Sequence, residues 1–417
     1  MKKEKCTLKI KNLDHFGRGI GRIDEKIVFV PFALKDEIVD VIITTDKKNY
    51  MEAKLCNIKE KAKERTDVIC PYFYLCGGCH LMHLSVNDEI EYKKKKVIDV
   101  IEKFTNLQAD IVTDCVKTNN LYYRNKVIFH VENKKIGFFK EKSHTLVEID
   151  HCYLINKRMN EVLSKVKKII NENDIIISSF MIRYSETSDE LMLVINGKNL
   201  NNRIRNYFKD INVKVLVVND NVLTKDKAIV EKILNKQFLI SKDSFFQVNT
   251  KGCENLYSIL IDEVKKQNYN KVLDLYCGTG TIGILISDYV DEVIGIEVIN
   301  GAVLNARDNA LINNVKNIKF LQGKVEDYNL LDYENPDLII VDPPRSGLNK
   351  KTISEMIKLK PKAIFYVSCD VVTLARDLNL FTELYNVQKI IPVDMFHNTY
   401  HVECVCILKL KEERNKE

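Results

Sequence analysis

The chain lacks any run of about 18 apolar residues, the length a membrane-spanning helix requires. Its first residues, MKKEKCTLKIK, carry charge where a secretory leader would carry an apolar core. Both absences lead to the expectation of a cytoplasmic protein without a membrane partner. Paired C-x2-C motifs of the zinc-ribbon kind and the ferredoxin cysteine runs are missing too, although the chain has 12 cysteines. In a reducing compartment such cysteines favour metal-binding or catalytic roles over disulfides. Strong net charge is also absent: the balance is +6 over 417 residues, with 45% hydrophobic residues. That composition describes a globular chain with room for two or three domains. The charge is unevenly placed, because residues 1–65 hold 16 Lys or Arg against 11 Asp or Glu. A basic module beside a longer enzyme-like part suggests an anionic macromolecular substrate.

The chain is organised around Lys271 to Gly283, KVLDLYCGTGTIG. Val272, Leu273 and Leu275 read as a short apolar strand. Glycines follow at 278, 280 and 283, and Ile284 to Ile286 begin a helix. Strand, glycine turn and helix together form a nucleotide-cofactor signature. Gly278 is expected to turn the chain with positive φ, Gly280 to admit a ligand against the backbone, and Gly283 to allow close helix–strand packing. The next strand, DEVIGIEV, ends at Glu297, nineteen residues after Gly278. A carboxylate there can hold both ribose hydroxyls of an adenosine. This spacing alone does not separate NAD from S-adenosylmethionine.

Upstream, residues 5–58 alternate apolar and polar side chains, with turns at Gly17, Gly19, Gly21, Pro31 and Asp46-Lys47. This is the pattern of a small β-barrel. The phrase DHFGRGIGRIDEKIVFVPFALKDEIVDVII resembles the TRAM domain, an RNA-binding barrel, which makes Arg18, Arg22, Lys47 and Lys48 candidate phosphate contacts. Cys70, Cys76 and Cys79 then fall within ten residues around Gly77-Gly78 and read as metal ligands. Cys152 is the best fourth candidate, with His80, His83 and His151 nearby. Four thiolates suit either a Zn²⁺ tetrahedron or a [4Fe–4S] cluster, and ligand chemistry leaves that choice open. Residues 88–104 read as an amphipathic helix, with Lys93 to Lys96 expected on its solvated face. Residues 122–240 are mostly strand-like, interrupted by one helix, and Tyr123-Arg124-Asn125 either meets RNA or packs locally.

The last part begins at SFFQVN, where Phe245 and Phe246 are expected in the core. Gln247 offers an amide to a base edge or an amino-acid moiety, or else caps the following helix. A fourth strand, PDLIIV, ends in Asp342-Pro343-Pro344-Arg345, at the strand edge where α/β ligands bind. The fifth delivers Ser368, Cys369 and Asp370 to the same edge, making Cys369 a candidate nucleophile. A final hairpin places Glu403 near the start of its second strand, a carboxylate among apolar neighbours. These residues fit one chemistry. Uracil C5 is a poor nucleophile until a thiolate adds at C6; the C5 carbanion then takes a methyl group from a sulfonium, and a base removes the C5 proton so that the thiol can leave.

Taken together, SFFQVN, DLYCGTGTIG, IGIEV, VDPPRSGL, YVSCD…TLARDL and HVE resemble the RNA uracil-5-methyltransferase family over nearly the whole chain. The barrel and the cysteine set resemble its ribosomal RNA branch, which carries a [4Fe–4S] cluster. The resemblance implies Cys369 as nucleophile and Glu403 as base. It places Gln247, Tyr276, Glu297 and Asp342 against S-adenosylmethionine, and Cys70, Cys76, Cys79 and Cys152 on the cluster. It implies an α/β fold: a Rossmann-like S-adenosylmethionine-dependent methyltransferase domain (88–118 and 241–417), an N-terminal TRAM-like β-barrel (1–60) and a central α+β domain with the cluster motif (61–87 and 119–240). The implied substrate is 23S ribosomal RNA, with transfer RNA second, and the default assembly is a monomer. The chain departs from the family pattern at Thr281, where relatives often carry Asn, and at His397 and Val371, where they carry proline. A rival reading, an NAD-dependent oxidoreductase, leaves Cys369, Asp342 and Glu403 without work. A second, an RNA-binding iron–sulfur protein with an inert catalytic half, sits badly with an intact Cys369 and Glu403.

Overall fold

The computed structural model describes residues 5–200, 202–333 and 335–412. The N-terminal part is a six-stranded sheet that closes on itself. Its first segment, Lys5–Lys9, pairs with Ile38–Asp46, and its continuation Asn12–Leu13 pairs with Gly19–Ile23 at the opposite end of the strand order. Alternation drives the closure: Leu8, Ile10, Val28, Val30, Val39 and Val41 point inward and are buried, while their neighbours face out. The barrel is fixed to the following segment by Glu37, which is fully buried, ion-paired with Arg65 and hydrogen-bonded to the Leu34 N–H at 2.8 Å. Arg18 is held by Asp14 at 2.7 Å and lies over the Phe29 ring, whereas Arg22, Lys47 and Lys48 are exposed.

The central part is a seven-stranded sheet, antiparallel except where Glu190–Lys198 meets Val215–Val218. The helix Lys157–Glu172 covers one face, burying Met159, Val162, Leu163, Val166 and Ile170 against the sheet.

The C-terminal part carries a second seven-stranded sheet. Counting its strands in chain order from Lys271–Leu275, their order in space is 3-2-1-4-5-7-6. Strands one to five are parallel, and the seventh, Glu403–Leu410, runs antiparallel between the fifth, Ala363–Ser368, and the sixth, Tyr385–Val393. The inner strands read as unbroken apolar runs because helices cover both faces. Leu338–Val341 and Ala363–Ser368 are buried at every position. Each such aliphatic side chain contributes about 1.5–3 kcal/mol.

The helix Val86–Phe104 joins this core, with Val97, Val100 and Ile101 packing among Leu374, Ala375 and Leu378. Its four-lysine run is only in part a solvated face. Lys95 is exposed, but Lys93 is fully buried and Lys96 half-buried, on the side of the helix that carries Val97, Val100 and Ile101. The two phenylalanines of SFFQVN also part company: Phe246 is in the core, and Phe245 is 68% exposed. Consecutive residues of an extended segment point to opposite sides, so only one of the pair can face inward. Among the described residues, no helix is long and apolar enough to cross a membrane.

Candidate active site

Parallel α/β sheets gather functional groups at the carboxyl edges of their strands, and the chemistry-bearing residues of the last sheet collect there. At the first strand, fully buried Asp274 accepts the Gly283 N–H at 3.0 Å and so ties strand to helix. Burial pushes its carboxyl up to about 7. Tyr276 begins the turn with φ +62°, and its hydroxyl donates to Glu326 at 2.8 Å.

The glycines divide their work differently from the expected fingerprint. Gly278 has φ +54°, and a Cβ there would meet nothing within 4 Å, so this position faces open space. Gly280 has φ +76°, and its Cβ would lie 2.5 Å from Phe320, so packing and backbone conformation fix this glycine. Of these two glycines, Gly278 is therefore the one whose Cβ position is open. Gly283 packs as expected, with Ile318 and Asp274 about its absent Cβ. Glu297, at the end of the second strand, accepts the Gly278 N–H at 3.1 Å and the Ile299 N–H at 2.8 Å. Its carboxylate is thus aimed along the loop. Gln247 is nearly buried, and its backbone carbonyl accepts from Asn125 Nδ2 at 3.2 Å. Asn249, rather than Gln247, caps the helix Thr250–Lys265, accepting the Gly252 N–H at 2.9 Å.

Across the opening from this loop are Asp342, Cys369 and Glu403. Cys369 sits between the fifth strand and the helix Val371–Phe381, which Asp370 caps by accepting the Thr373 N–H at 2.9 Å. Such a cap is worth about 1 kcal/mol and fixes the turn that presents the thiol. The fifth and seventh strands pair Ser368 with Cys404. The pairing ends there: Cys369 follows Ser368 and Glu403 precedes Cys404, and the Glu403 charge reaches the Cys369 thiol. Glu403 is 4% exposed and lies on an interior strand, not an edge. Burial, with the charge of Asp342 added, pushes its carboxyl up to about 8, and Arg345 opposes the shift. Burial and then Glu403 push the Cys369 thiol up to about 11. Burial alone pushes Asp342 up to about 7. A thiol and a carboxyl brought this close, both biased toward their protonated forms, can trade a proton as a substrate changes the local charge.

The four cysteines of the central part line one cavity of about 530 Å³, together with Arg124, Lys126, Phe139 and His151. His80 and His83 do not line it. His83 is buried against Phe73 instead, and burial lowers its pKa to about 3. Burial raises the pKa of all four thiols, that of Cys76 to about 11. Among the described residues, the one trio of His, Cys, Asp or Glu whose ligand atoms all lie within 4.8 Å is Glu89, Asp394 and His397. The thiols share a cavity, and no three of their sulfurs all lie within 4.8 Å of one another.

Sequence reasoning missed a buried group behind Glu403: Glu89, Lys93, Asp394 and His397. The only readable sign was the four-residue Glu89–Lys93 spacing, since Asp394 lies 301 residues further along. It also left Tyr123-Arg124-Asn125 undecided. Tyr123 donates to the His397 carbonyl at 3.0 Å, and the Asn125 N–H donates to the Val248 carbonyl at 2.8 Å, so the triplet joins the central sheet to the site.

This strand order, glycine loop and acid-ended second strand define a Rossmann-like S-adenosylmethionine-dependent methyltransferase domain. A family model described as tRNA (uracil-5-)-methyltransferase matches residues 85–411, and one for the TRAM domain matches residues 1–56. The chain belongs to the tRNA (uracil-5-)-methyltransferase family and is an RNA (uracil-5-)-methyltransferase with an N-terminal TRAM domain. It is 34% identical over 440 residues to an uncharacterised RNA methyltransferase of Clostridium acetobutylicum, covering 96% of each chain. A second uncharacterised RNA methyltransferase, from Caldanaerobacter subterraneus subsp. tengcongensis, is 35% identical over 443 residues, covering 97% of this chain and 98% of that one. Among solved structures, the tRNA (uracil-54, C5)-methyltransferase of Pyrococcus abyssi, in complex with S-adenosyl-L-homocysteine, matches with a TM-score of 0.80 and 25% identity, covering 96% of this chain and 99% of that one.

Proposed function

We propose that this enzyme methylates C5 of uridine in 23S ribosomal RNA through a covalent bond between Cys369 and uracil C6. The observation that carries the reading is that Cys369 and Glu403 flank the last Ser368–Cys404 pair of two antiparallel strands, close enough for the Glu403 charge to act on the Cys369 thiol. The Cys369 thiol first gives its proton to solvent, and the thiolate adds to C6 and places the electron pair of the C5=C6 bond at C5. Gln247, Tyr276, Glu297 and Asp342 would hold S-adenosylmethionine, whose sulfonium would give its methyl group to that carbon and leave as the neutral thioether. Glu403 then takes the C5 proton, the C–H electron pair restores the C5=C6 bond, and the thiolate leaves C6. A carboxyl pushed up to about 8 is a stronger base, once ionised, than an ordinary glutamate, which suits removal of a proton from carbon. The uridine must leave its stack to reach this pair.

Cys70, Cys76, Cys79 and Cys152 line one cavity of about 530 Å³ and would hold a [4Fe–4S] cluster there. Methyl transfer moves no net electrons, so the cluster's part would be to order the Cys70–Leu84 segment and position RNA. The chain then divides its work: residues 1–60 and the central part (61–87 and 119–240) hold RNA, while 88–118 and 241–417 carry out the chemistry. The barrel and cysteine set, taken together, support ribosomal RNA. The second reading is transfer RNA, favoured by the Pyrococcus abyssi enzyme, whose named substrate is tRNA and whose match extends over 96% of this chain, barrel included.

The test supplies labelled S-adenosylmethionine and anaerobically purified enzyme with unmodified 23S ribosomal RNA or transfer RNA in separate tubes, and measures 5-methyluridine by nucleoside mass spectrometry. Label in 23S RNA that vanishes with Cys369→Ala supports the reading. Label in transfer RNA alone keeps the mechanism and replaces the substrate. No 5-methyluridine in either, from enzyme that binds the methyl donor, overturns both.

A further inference from the structure

The hairpin that carries Glu403 closes through a nine-residue connection, Asp394 to Val402, between Val393 and Glu403, which are themselves paired in register. A connection of that length has no intrinsic reason to hold one shape. Here it is held by four ionisable side chains, all buried: Glu89, Lys93 and Asp394 at 0% exposure and His397 at 2%. The Lys93 ammonium donates to Glu89 at 2.7 Å and to the Phe396 carbonyl at 3.1 Å, and pairs with Asp394. His397 Nδ1 lies 2.5 Å from the other Asp394 oxygen, and its Nε2 lies 3.3 Å from Glu89. The backbone joins in. The Asn398 N–H donates to Glu89 at 2.8 Å, and the Asn398 carbonyl accepts the N–H groups of His80 at 2.8 Å and Leu81 at 3.1 Å, directly after Cys79. Asn398 itself adopts φ +66°, a left-handed conformation that asparagine accepts more readily than most side chains.

Three of these side chains have metal-ligand chemistry and spacing. The Lys93 ammonium already lies between Glu89 and Asp394, however, so the chain supplies the positive charge that a metal ion would bring. Burying four ionisable groups is costly when hydrophobic packing would hold a loop as well. A charged lock does offer a single geometry, with directional bonds to both ends of the connection. We propose that Glu89, Lys93, Asp394 and His397 are positioning residues for the methyl-transfer reaction: they fix the connection so that the Glu403 carboxylate faces the uracil C5 proton, and through Asn398 they tie that connection to the cysteine-bearing segment. This rests on the reading of Glu403 as the base.

The quartet acts after methyl transfer, when Glu403 takes the C5 proton and the Cys369–C6 bond breaks. Disturbing it should therefore stall the enzyme as a methylated, covalent enzyme–RNA adduct. The test compares wild type, Glu403→Gln, Lys93→Met and the double variant Lys93→Met/Asp394→Leu. The double variant removes one cation and one anion together, and so keeps the test valid if the single variant fails to fold. Folding is checked by thermal melting and S-adenosylmethionine binding. Single-turnover methyl transfer and the adduct surviving on denaturing gels are then measured with the RNA that the wild type modifies. The expected result is a folded double variant that transfers the methyl group within about two-fold of the wild-type rate, turns over at least ten-fold more slowly, and accumulates adduct as Glu403→Gln does. A folded double variant with wild-type turnover and no adduct overturns the proposal. So does a parallel fall of methyl transfer and turnover without adduct, which is what a merely structural role would give. If Glu403→Gln itself accumulates no adduct, the base assignment falls and takes this proposal with it; failure of the double variant beside a trapping Glu403→Gln overturns the positioning role alone.

Discussion

Replacing Glu403 by Gln should stabilise the protein, and only above the pH at which an ordinary glutamate ionises. In the unfolded chain this carboxyl titrates near 4.5; in the folded protein burial holds it up to about 8. Below pH 4.5 both states carry the proton, and ionisation makes no difference to stability. Between 4.5 and 8 the unfolded chain has released its proton while the folded one keeps it. Each pH unit in that window then costs the folded state about 1.4 kcal/mol. The whole window integrates to roughly 5 kcal/mol, complete above pH 8. That is a large share of the 5–15 kcal/mol a domain typically has. Gln fills the same space and has no proton to lose, so the variant escapes this cost.

Thermal melting of wild type and Glu403→Gln without methyl donor, buffered from pH 4.5 to 9, reads the effect. The curves should coincide near pH 4.5 and separate steadily, with the variant melting higher by roughly 10–20 °C at pH 8.5. For a domain of this size about 1 kcal/mol moves the midpoint by 2–4 °C. A constant offset at every pH, or a variant no more stable at pH 8.5 than at 4.5, would refute the reasoning, since either means that Glu403 ionises as freely in the fold as outside it. The same variant should lose turnover while gaining stability, the trade expected where a carboxylate is buried for chemistry rather than for the fold.

The remaining predictions concern other parts of the site. Cys369→Ala should abolish 5-methyluridine formation and any denaturation-resistant RNA adduct, with S-adenosylmethionine binding by calorimetry unchanged. Gly280→Ala, whose Cβ would lie 2.5 Å from Phe320 at φ +76°, should destabilise by about 2 kcal/mol or more in denaturant unfolding. Gly278→Ala meets no protein atom; it should fold at a smaller cost and weaken methyl-donor binding at least ten-fold, a contrast that would vanish if Gly280 were the ligand-facing position. Cys152→Ser should lower the iron content and visible absorbance of anaerobically purified enzyme. Unchanged iron would mean that this cysteine is not a ligand.

What could be read from the sequence was whatever is local. A glycine turn after an apolar strand, Asp342 and Cys369 at strand ends, and three cysteines about Gly77-Gly78 all announce themselves within a dozen residues, because one turn or one strand end positions each of them. The misreadings also share a cause. Lys93 to Lys96 read as one solvated run, although Lys93 shares the helix face of Val97 and Ile101, and nothing local tells of Asp394, which lies 301 residues further on and pairs with Lys93. Phe245 and Phe246 are indistinguishable until the strand's orientation is known. The glycine fingerprint says that two positions must lack a Cβ, but only packing shows that Phe320 enforces one and leaves the other open.

The proposed catalytic pair is the clearest case. Cys369 and Glu403 are each conspicuous in the sequence, yet nothing local says that they meet. They come together because the seventh strand enters antiparallel between the fifth and the sixth, which pairs Ser368 with Cys404 and leaves Cys369 and Glu403 at the end of that pairing. A seventh strand added at the edge, beyond the sixth, would leave Glu403 two strands from Cys369, roughly 10 Å away at about 4.8 Å per strand. A one-residue slip of register would turn its carboxyl to the other face of the sheet. The reaction therefore depends on what holds that strand in register at its mouth. The groups best placed to do so are the buried charges of Glu89, Lys93, Asp394 and His397, which brace the connection between Val393 and Glu403 where strand pairing ends.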